Sequence, residues 1–191
     1  MLFLIQDGIT NGAIYALLGL ALVLVFAVTR VILIPQGEFV TYGALSYAML
    51  CTGNVPGTVW LALAMGIAAF ALDLFAARRA LHLNRIGRSL ALNIVFPAAI
   101  LGVTYLLAGP KTPIAVNIVL ALLTVAAIAL YLYRLAFQPL AHTSVLVLLI
   151  ASVGCHLALQ GRGLVFFGAE GLRGPPISTA AFTVGDLRFT G

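Results

Sequence analysis

An all-α fold, a polytopic bundle of transmembrane helices, is predicted by three features of this sequence. The 191 residues are 63% hydrophobic and only 8% charged, where soluble domains carry roughly 25% charged residues. Mean hydropathy is +1.16. Apolar runs of about 20 residues, enough for a helix to cross a hydrocarbon core of ~30 Å, recur along the chain with short loops rich in Gly, Pro and Arg between them. So little charge cannot cover a water-exposed surface. The net charge of +5 therefore bears on membrane topology rather than on nucleic-acid binding.

Six spans are expected, at 9–28, 33–51, 58–77, 90–108, 114–133 and 143–160. Asp7, Thr10 and Asn11 mark the start of the first, where acids and side-chain acceptors suit a helix N-terminus. Along it Gly8, Gly12, Ala16 and Gly19 recur at spacings of three and four. Such a stripe of small residues lets another helix approach closely, and a packing seam is expected there. Pro97 lies inside the fourth span and should kink it. The fifth is almost wholly apolar and ends in Tyr131 and Tyr133, interface aromatics before Arg134.

The second span, counted from Leu33, holds near its start Pro35-Gln-Gly-Glu38, a polar cluster between apolar runs. An acid at membrane depth is costly and usually faces a bundle interior or a watery cavity. Proline and glycine there free backbone groups that protein or water must satisfy. The stretch is either a polar turn between helices or a broken-helix element lining a pathway. Gln36, Gly37, Glu38 and Tyr42 are the candidate pathway or gate residues. For Glu38 the alternative is a paired or solvated acid favoured by a helix N-terminus.

Other polar groups carry less. Asp73, near Arg78 and Arg79, reads as an acid paired with arginine at the interface. His82 stands alone. Ser152 and His156 are four apart and share a helix face, but no third group completes a catalytic set, so packing is the expected role. Cys51 and Cys155 have no metal-ligand spacing and read as small core residues. No catalytic residue, metal ligand or cofactor-binding motif is identified, and no P-loop is present.

Arg78, Arg79, Arg85 and Arg88 lie in one connector and Arg134 in another, two spans later. Both face the same side, which the positive-inside rule makes cytoplasmic. The N-terminus, Lys111 and residues 161–191 are then external, the last as a loop with a short β-hairpin about Gly185 and Asp186. This parity holds only if the second segment crosses rather than re-enters.

Several pieces resemble the inner-membrane permease subunits of bacterial branched-chain amino-acid ABC importers. In that family a first helix patterned Gly-x-x-x-Gly-x-x-Tyr-Ala-Leu leads to an Asn-Phe-Ala-His-Gly-Glu element. Here the counterparts are Gly8-Ile-Thr-Asn-Gly-Ala-Ile-Tyr-Ala-Leu17 and Leu33-Ile-Pro-Gln-Gly-Glu38. Further on, Tyr133-Arg-Leu-Ala-Phe-Gln-Pro139, Ser152-Val-Gly154 and Leu159-Gln160 resemble the family's Glu-Arg-x-x-Tyr-Arg-Pro, Thr/Ala-Ile-Gly and Leu-Gln. Leu33, Gln36 and Gln138 depart from the pattern, and the segment from Leu81 to Val116 looks like extra membrane sequence.

The resemblance implies an ATP-driven import subunit for branched-chain amino acids or similar solutes, with urea or short amides as alternatives. It implies a second permease, two ATP-binding subunits that hold the ATP, and an external substrate-binding protein as partners. It also implies a multi-pass place in the bacterial inner membrane. The family's cytoplasmic coupling loop has no counterpart after Gly161, as expected of a C-terminally truncated permease. A secondary transporter and an intramembrane enzyme are the rivals from other classes.

Overall fold

The computed structural model describes residues 2–77, 83–108, 112–168, 172, 181–184 and 187–190. It is an all-α helical bundle with one short hairpin. The helices are α1 (Leu2–Thr29), α2 (Gln36–Cys51), α3 (Gly57–Ala77), α4 (Leu83–Leu90), α5 (Phe96–Leu107), α6 (Ile114–Leu132) and α7 (Val145–Phe167). Two strands, β1 (Ala181–Val184) and β2 (Leu187–Thr190), pair antiparallel, Phe182 opposite Phe189. Five helical stretches are long and apolar enough to cross a membrane: Leu4–Thr29, Gly57–Phe75, Gly87–Leu107, Ile114–Leu140 and Val145–Phe167. This is a multi-pass membrane protein. The connector at 78–82, with Arg78, Arg79 and His82, and the loop with Lys111 lie outside the described residues, as does most of 169–191.

The segment expected to span from residue 33 is not among the five. α2 has 16 residues, about 24 Å of helix against the ~30 Å of a hydrocarbon core. Its start is set by chemistry at the preceding residues. Arg30 closes α1 through its N–H to Phe26 O at 2.8 Å and adopts φ 56°, the left-handed conformation that ends helices. Pro35 then stands at the N-cap of α2, where its fixed φ suits entry into a helix and its missing N–H is no loss.

α1 stands apart. None of its spanning window is buried, and a methyl group added at Gly8, Gly12 or Gly19 would meet nothing within 4 Å. The seam expected along Gly8, Gly12, Ala16 and Gly19 is therefore not formed by the described residues of this chain. The close approaches lie elsewhere. A Cβ at Gly66 would sit 2.2 Å from Asn93 O, and one at Gly57 2.7 Å from the Phe166 ring.

The fourth span is irregular for a traceable reason. Pro97 has no N–H to offer Asn93 O, its partner in an α-helix. The ladder widens to a π-helical segment over Ala91–Val95, in which Phe96 N–H reaches Ala91 O. Leu92 O would then look to residue 97, again the proline. It is satisfied instead by the Tyr131 hydroxyl of α6, at 2.7 Å. Asn93 O lies against Gly66 of α3, where only glycine lets the two backbones meet. The kink expected from Pro97 takes the form of this bulge.

The main core is one cluster drawn from α2, α3, α5, α6 and α7, with Tyr42, Ile128, Tyr131 and Phe137 at its centre. Buried threonines in it satisfy themselves locally, Thr104 and Thr124 each donating to the carbonyl four residues back. α7 continues through Gly161-Arg-Gly163 to Phe167, past the end expected at Gln160. Glycine is a poor helix former in water, but here Gly163 lies under the Tyr42 ring, 3.1 Å from where its Cβ would be, and packing overrides propensity.

Candidate functional site

Three contacts place the start of α2 in depth. Ile34 N–H donates to Ser152 Oγ of α7 at 2.9 Å, Glu38 Oε1 lies 3.4 Å from His156 Nδ1, and the Tyr42 hydroxyl donates to Leu159 O at 2.6 Å. α2 therefore rises parallel to α7. Ser152 is seven residues into that helix and His156 eleven, about 10 and 16 Å along it. On the other side Gln36 Nε2 donates to Leu18 O of α1 at 2.9 Å, about 16 Å from the α1 end at Thr29. Both neighbours put Gln36 and Glu38 near the middle of the bundle's height. The chain leaves α1, runs non-helically through residues 30–35 and starts α2 near the middle of the bundle's height.

α2 ends far from Arg30. Asn117, in the first turn of α6, donates to Cys51 Sγ in the last turn of α2 at 3.6 Å. The α2 C-terminus thus lies at the bundle end opposite Arg30.

Gln36 and Glu38 do not converge. Two positions apart on a helix, they face different neighbours, Gln36 turning to α1 and Glu38 to α7. Gln36 spends its amide N–H on Leu18 O, which fixes the orientation of the group and leaves its Oε1 buried and unpartnered. Glu38 is 16% exposed and His156 32%, and their contact lacks hydrogen-bond geometry, so His156 Nδ1 is also without a partner. Gly37 is exposed with open space around it. Tyr42 is fully buried, packed on Gly163 and tilted against Phe167 at 6.0 Å between ring centres. In this conformation Tyr42 ties α2 to α7 and does not line an open space.

A second polar cluster lies toward the bundle end at which α1 terminates and α7 begins. Asp73 of α3 accepts from Arg134 NH2 at 3.0 Å, from Asn93 Nδ2 at 2.9 Å and from the Ser89 hydroxyl. Arg134 NH1 also donates to Asn93 Oδ1 at 2.6 Å. Asn93 and Arg134 both sit in π-helical segments, Ala91–Val95 and Tyr133–Phe137. The cluster joins α3, the fourth span and the end of α6. Asp73 was expected to pair with arginine; Arg134 is the partner seen, while Arg78 and Arg79 lie outside the described residues.

Reading the sequence alone missed Ser89 and Asn93, and it gave Ser152 and His156 no role beyond packing. The four-residue spacing of Ser152 and His156 was the available signal: a polar pair on one face of an apolar helix needs a polar neighbour, which the α2 start supplies. No group of three or more His, Cys, Asp or Glu side chains among the described residues could hold a metal ion.

Comparisons with family models, curated proteins and solved structures found no match.

Proposed function

We propose that this chain is the translocation subunit of an ATP-driven importer of the bacterial inner membrane, carrying branched-chain amino acids or similar small polar-headed solutes. The observation that supports this reading most is the interrupted second crossing, with Gln36 and Glu38 at mid-depth. Discontinuous helices whose polar ends meet at the bilayer midplane are how transporters place solute contacts in hydrocarbon. The motif resemblance falls on the same residues. In this reading two ATP-binding subunits, a second permease and an external binding protein complete the machine, and this chain holds no nucleotide. Closure of the ATPases tilts the helices, and the start of α2, with its unpartnered polar atoms, is where access switches.

The test is uptake of labelled leucine and urea by cells carrying the intact transporter, with Glu38→Ala against wild type. Uptake should fall sharply while the assembled complex is recovered in normal amount. A well-assembled variant with wild-type uptake would remove Glu38 from the pathway.

The Glu38–His156 contact favours one second reading, a secondary transporter in which this pair carries a proton. Uptake that survives ATPase inactivation but collapses with the proton gradient would select it.

A further inference from the structure

Three successive rungs join the start of α2 to α7, and only the middle one is unmade. Ile34 N–H bonds Ser152 Oγ at 2.9 Å, and the Tyr42 hydroxyl bonds Leu159 O at 2.6 Å. Between them Glu38 Oε1 stands 3.4 Å from His156 Nδ1, which bonds nothing. Residues 34, 38 and 42 thus meet 152, 156 and 159, about one helical turn apart on each side. The outer rungs use groups that keep their protons near neutrality. The middle one joins an acid to an imidazole.

Its state turns on a single proton. With Nδ1 as the bare nitrogen of a neutral ring, two acceptors face each other, which accounts for the missing bond. One added proton makes a charge-assisted hydrogen bond, whichever of the two atoms carries it. Such bonds are about 2.8 Å long, so closing the rung draws Glu38 toward α7 by roughly 0.6 Å. Histidine is the side chain that changes charge between about pH 5 and 8. The other titratable groups around His156 are Tyr42 on α2, whose hydroxyl is committed to Leu159 O, and Cys155 and Arg162 on α7 itself. Arg162 is exposed, and its field reaches Tyr42. α3 and the segment Tyr133–Phe137 also pack on α7. Their Asp73 and Arg134 pair with each other at 3.0 Å, and Tyr133 is exposed.

We infer that Glu38 and His156 form a proton-operated latch on the start of α2, closed against α7 when the pair holds a proton and loose when it does not. The latch rests on the role proposed above for the α2 start in switching access, and it adds what regulates that switch. The proton stays with the pair and need not cross the membrane, so the device suits an ATP-driven importer. Acid conditions hold α2 against α7 and slow the switch.

Hydrogen–deuterium exchange of the full chain in detergent tests this, read on peptides covering residues 33–39 and scaled for the intrinsic pH dependence of exchange. From about pH 8 to about pH 5, protection of that segment should rise at least about tenfold, the scale of one charge-assisted bond. α6, which holds no acid or histidine, should not change. His156→Leu should keep residues 33–39 at their alkaline level throughout. Should that variant fail to fold, Glu38→Gln serves. Its amide N–H meets the bare nitrogen at any pH, so its protection should be flat. Flat protection in wild type would overturn the inference. So would a pH response kept by a folded variant, since another group would then carry it. Exchange is read without transport, so loss of import with this response intact would count against the import reading alone.

Discussion

Two polar clusters lie in this apolar bundle, and their hydrogen bonding is opposite. Around Asp73 each polar group meets another: the carboxylate takes three donors, Arg134 reaches both Asp73 and Asn93, and Asn93 uses its Nδ2 and Oδ1. Around Glu38 the bonds stop short, with Gln36 Oε1 and His156 Nδ1 unpartnered and the acid facing imidazole at 3.4 Å. A closed network stabilises one arrangement of its helices, whereas a half-satisfied one stores a cost that another conformation or a solute can relieve. The difference teaches where to look for movement. α3, the fourth span and α6 close a network around Asp73, whereas the start of α2, though tied by Ile34, Gln36 and Tyr42, keeps two polar atoms unpartnered.

The largest expected effect probes the fixed part at its tightest contact. Gly66→Ala would drive a methyl group to 2.2 Å from Asn93 O and 3.0 Å from Pro97 Cγ. A carbonyl held in a π-bulge and a proline ring give little room, so a loss of at least about 3 kcal/mol is expected. Thermal melting in detergent should show early unfolding. A variant that melts with wild type would mean that α3 and the fourth span do not meet at Gly66. Arg134→Ala comes next. It leaves Asp73 without its cation, but at 29% and 37% exposure water replaces part of the loss, and about 2 kcal/mol is expected. Because the penalty lies in the stranded acid, adding Asp73→Ala should recover part of it. Additive losses would show that the two do not act as a pair.

How much of this was legible in the sequence follows from the range of each interaction. Helical class and most spans are local, carried by hydropathy over some 20 residues, and five of the expected spans correspond to spanning helices. The α2 start was marked by Pro35, yet its depth was not, because depth is set by Ser152 and Leu18, far along the chain. Asp73 was expected to pair with nearby Arg78 and Arg79, whereas the partner among the described residues, Arg134, is 61 residues away. Pro97 foretold an irregular helix, but a bulge rather than a simple bend needed the Tyr131 hydroxyl to bond Leu92 O and Gly66 to leave room for Asn93 O. Gly8, Gly12 and Gly19 on α1 have open space around them among the described residues, while Gly57, Gly66 and Gly163, outside that stripe, are where segments of this chain approach closely.

Smaller effects are expected where α2 meets α7. Tyr42→Phe removes the 2.6 Å bond to Leu159 O but keeps the ring on Gly163 and Phe167. Leu159 retains its place in the α7 ladder, so about 1 kcal/mol is the expected loss. A loss as large as that of Arg134→Ala would make the α2–α7 joint part of the rigid frame.

Glu38→Gln should change stability least, and that is what separates the two clusters most sharply. The wild-type acid has no donor in hydrogen-bond geometry, and it sits at mid-depth where charge is disfavoured. Its one compensation is its place in the first turn of α2, where the helix dipole favours a carboxylate by less than about 1 kcal/mol. Neutralising it removes a modest gain and a modest cost together. Melting should therefore stay within about 1 kcal/mol of wild type, whereas under the proposed import function the same change is expected to lower uptake. Substantial destabilisation on Glu38→Gln would mean that the acid is held as firmly as Asp73. The start of α2 would then be a second structural knot, and the contrast between the closed and the half-satisfied cluster would fail.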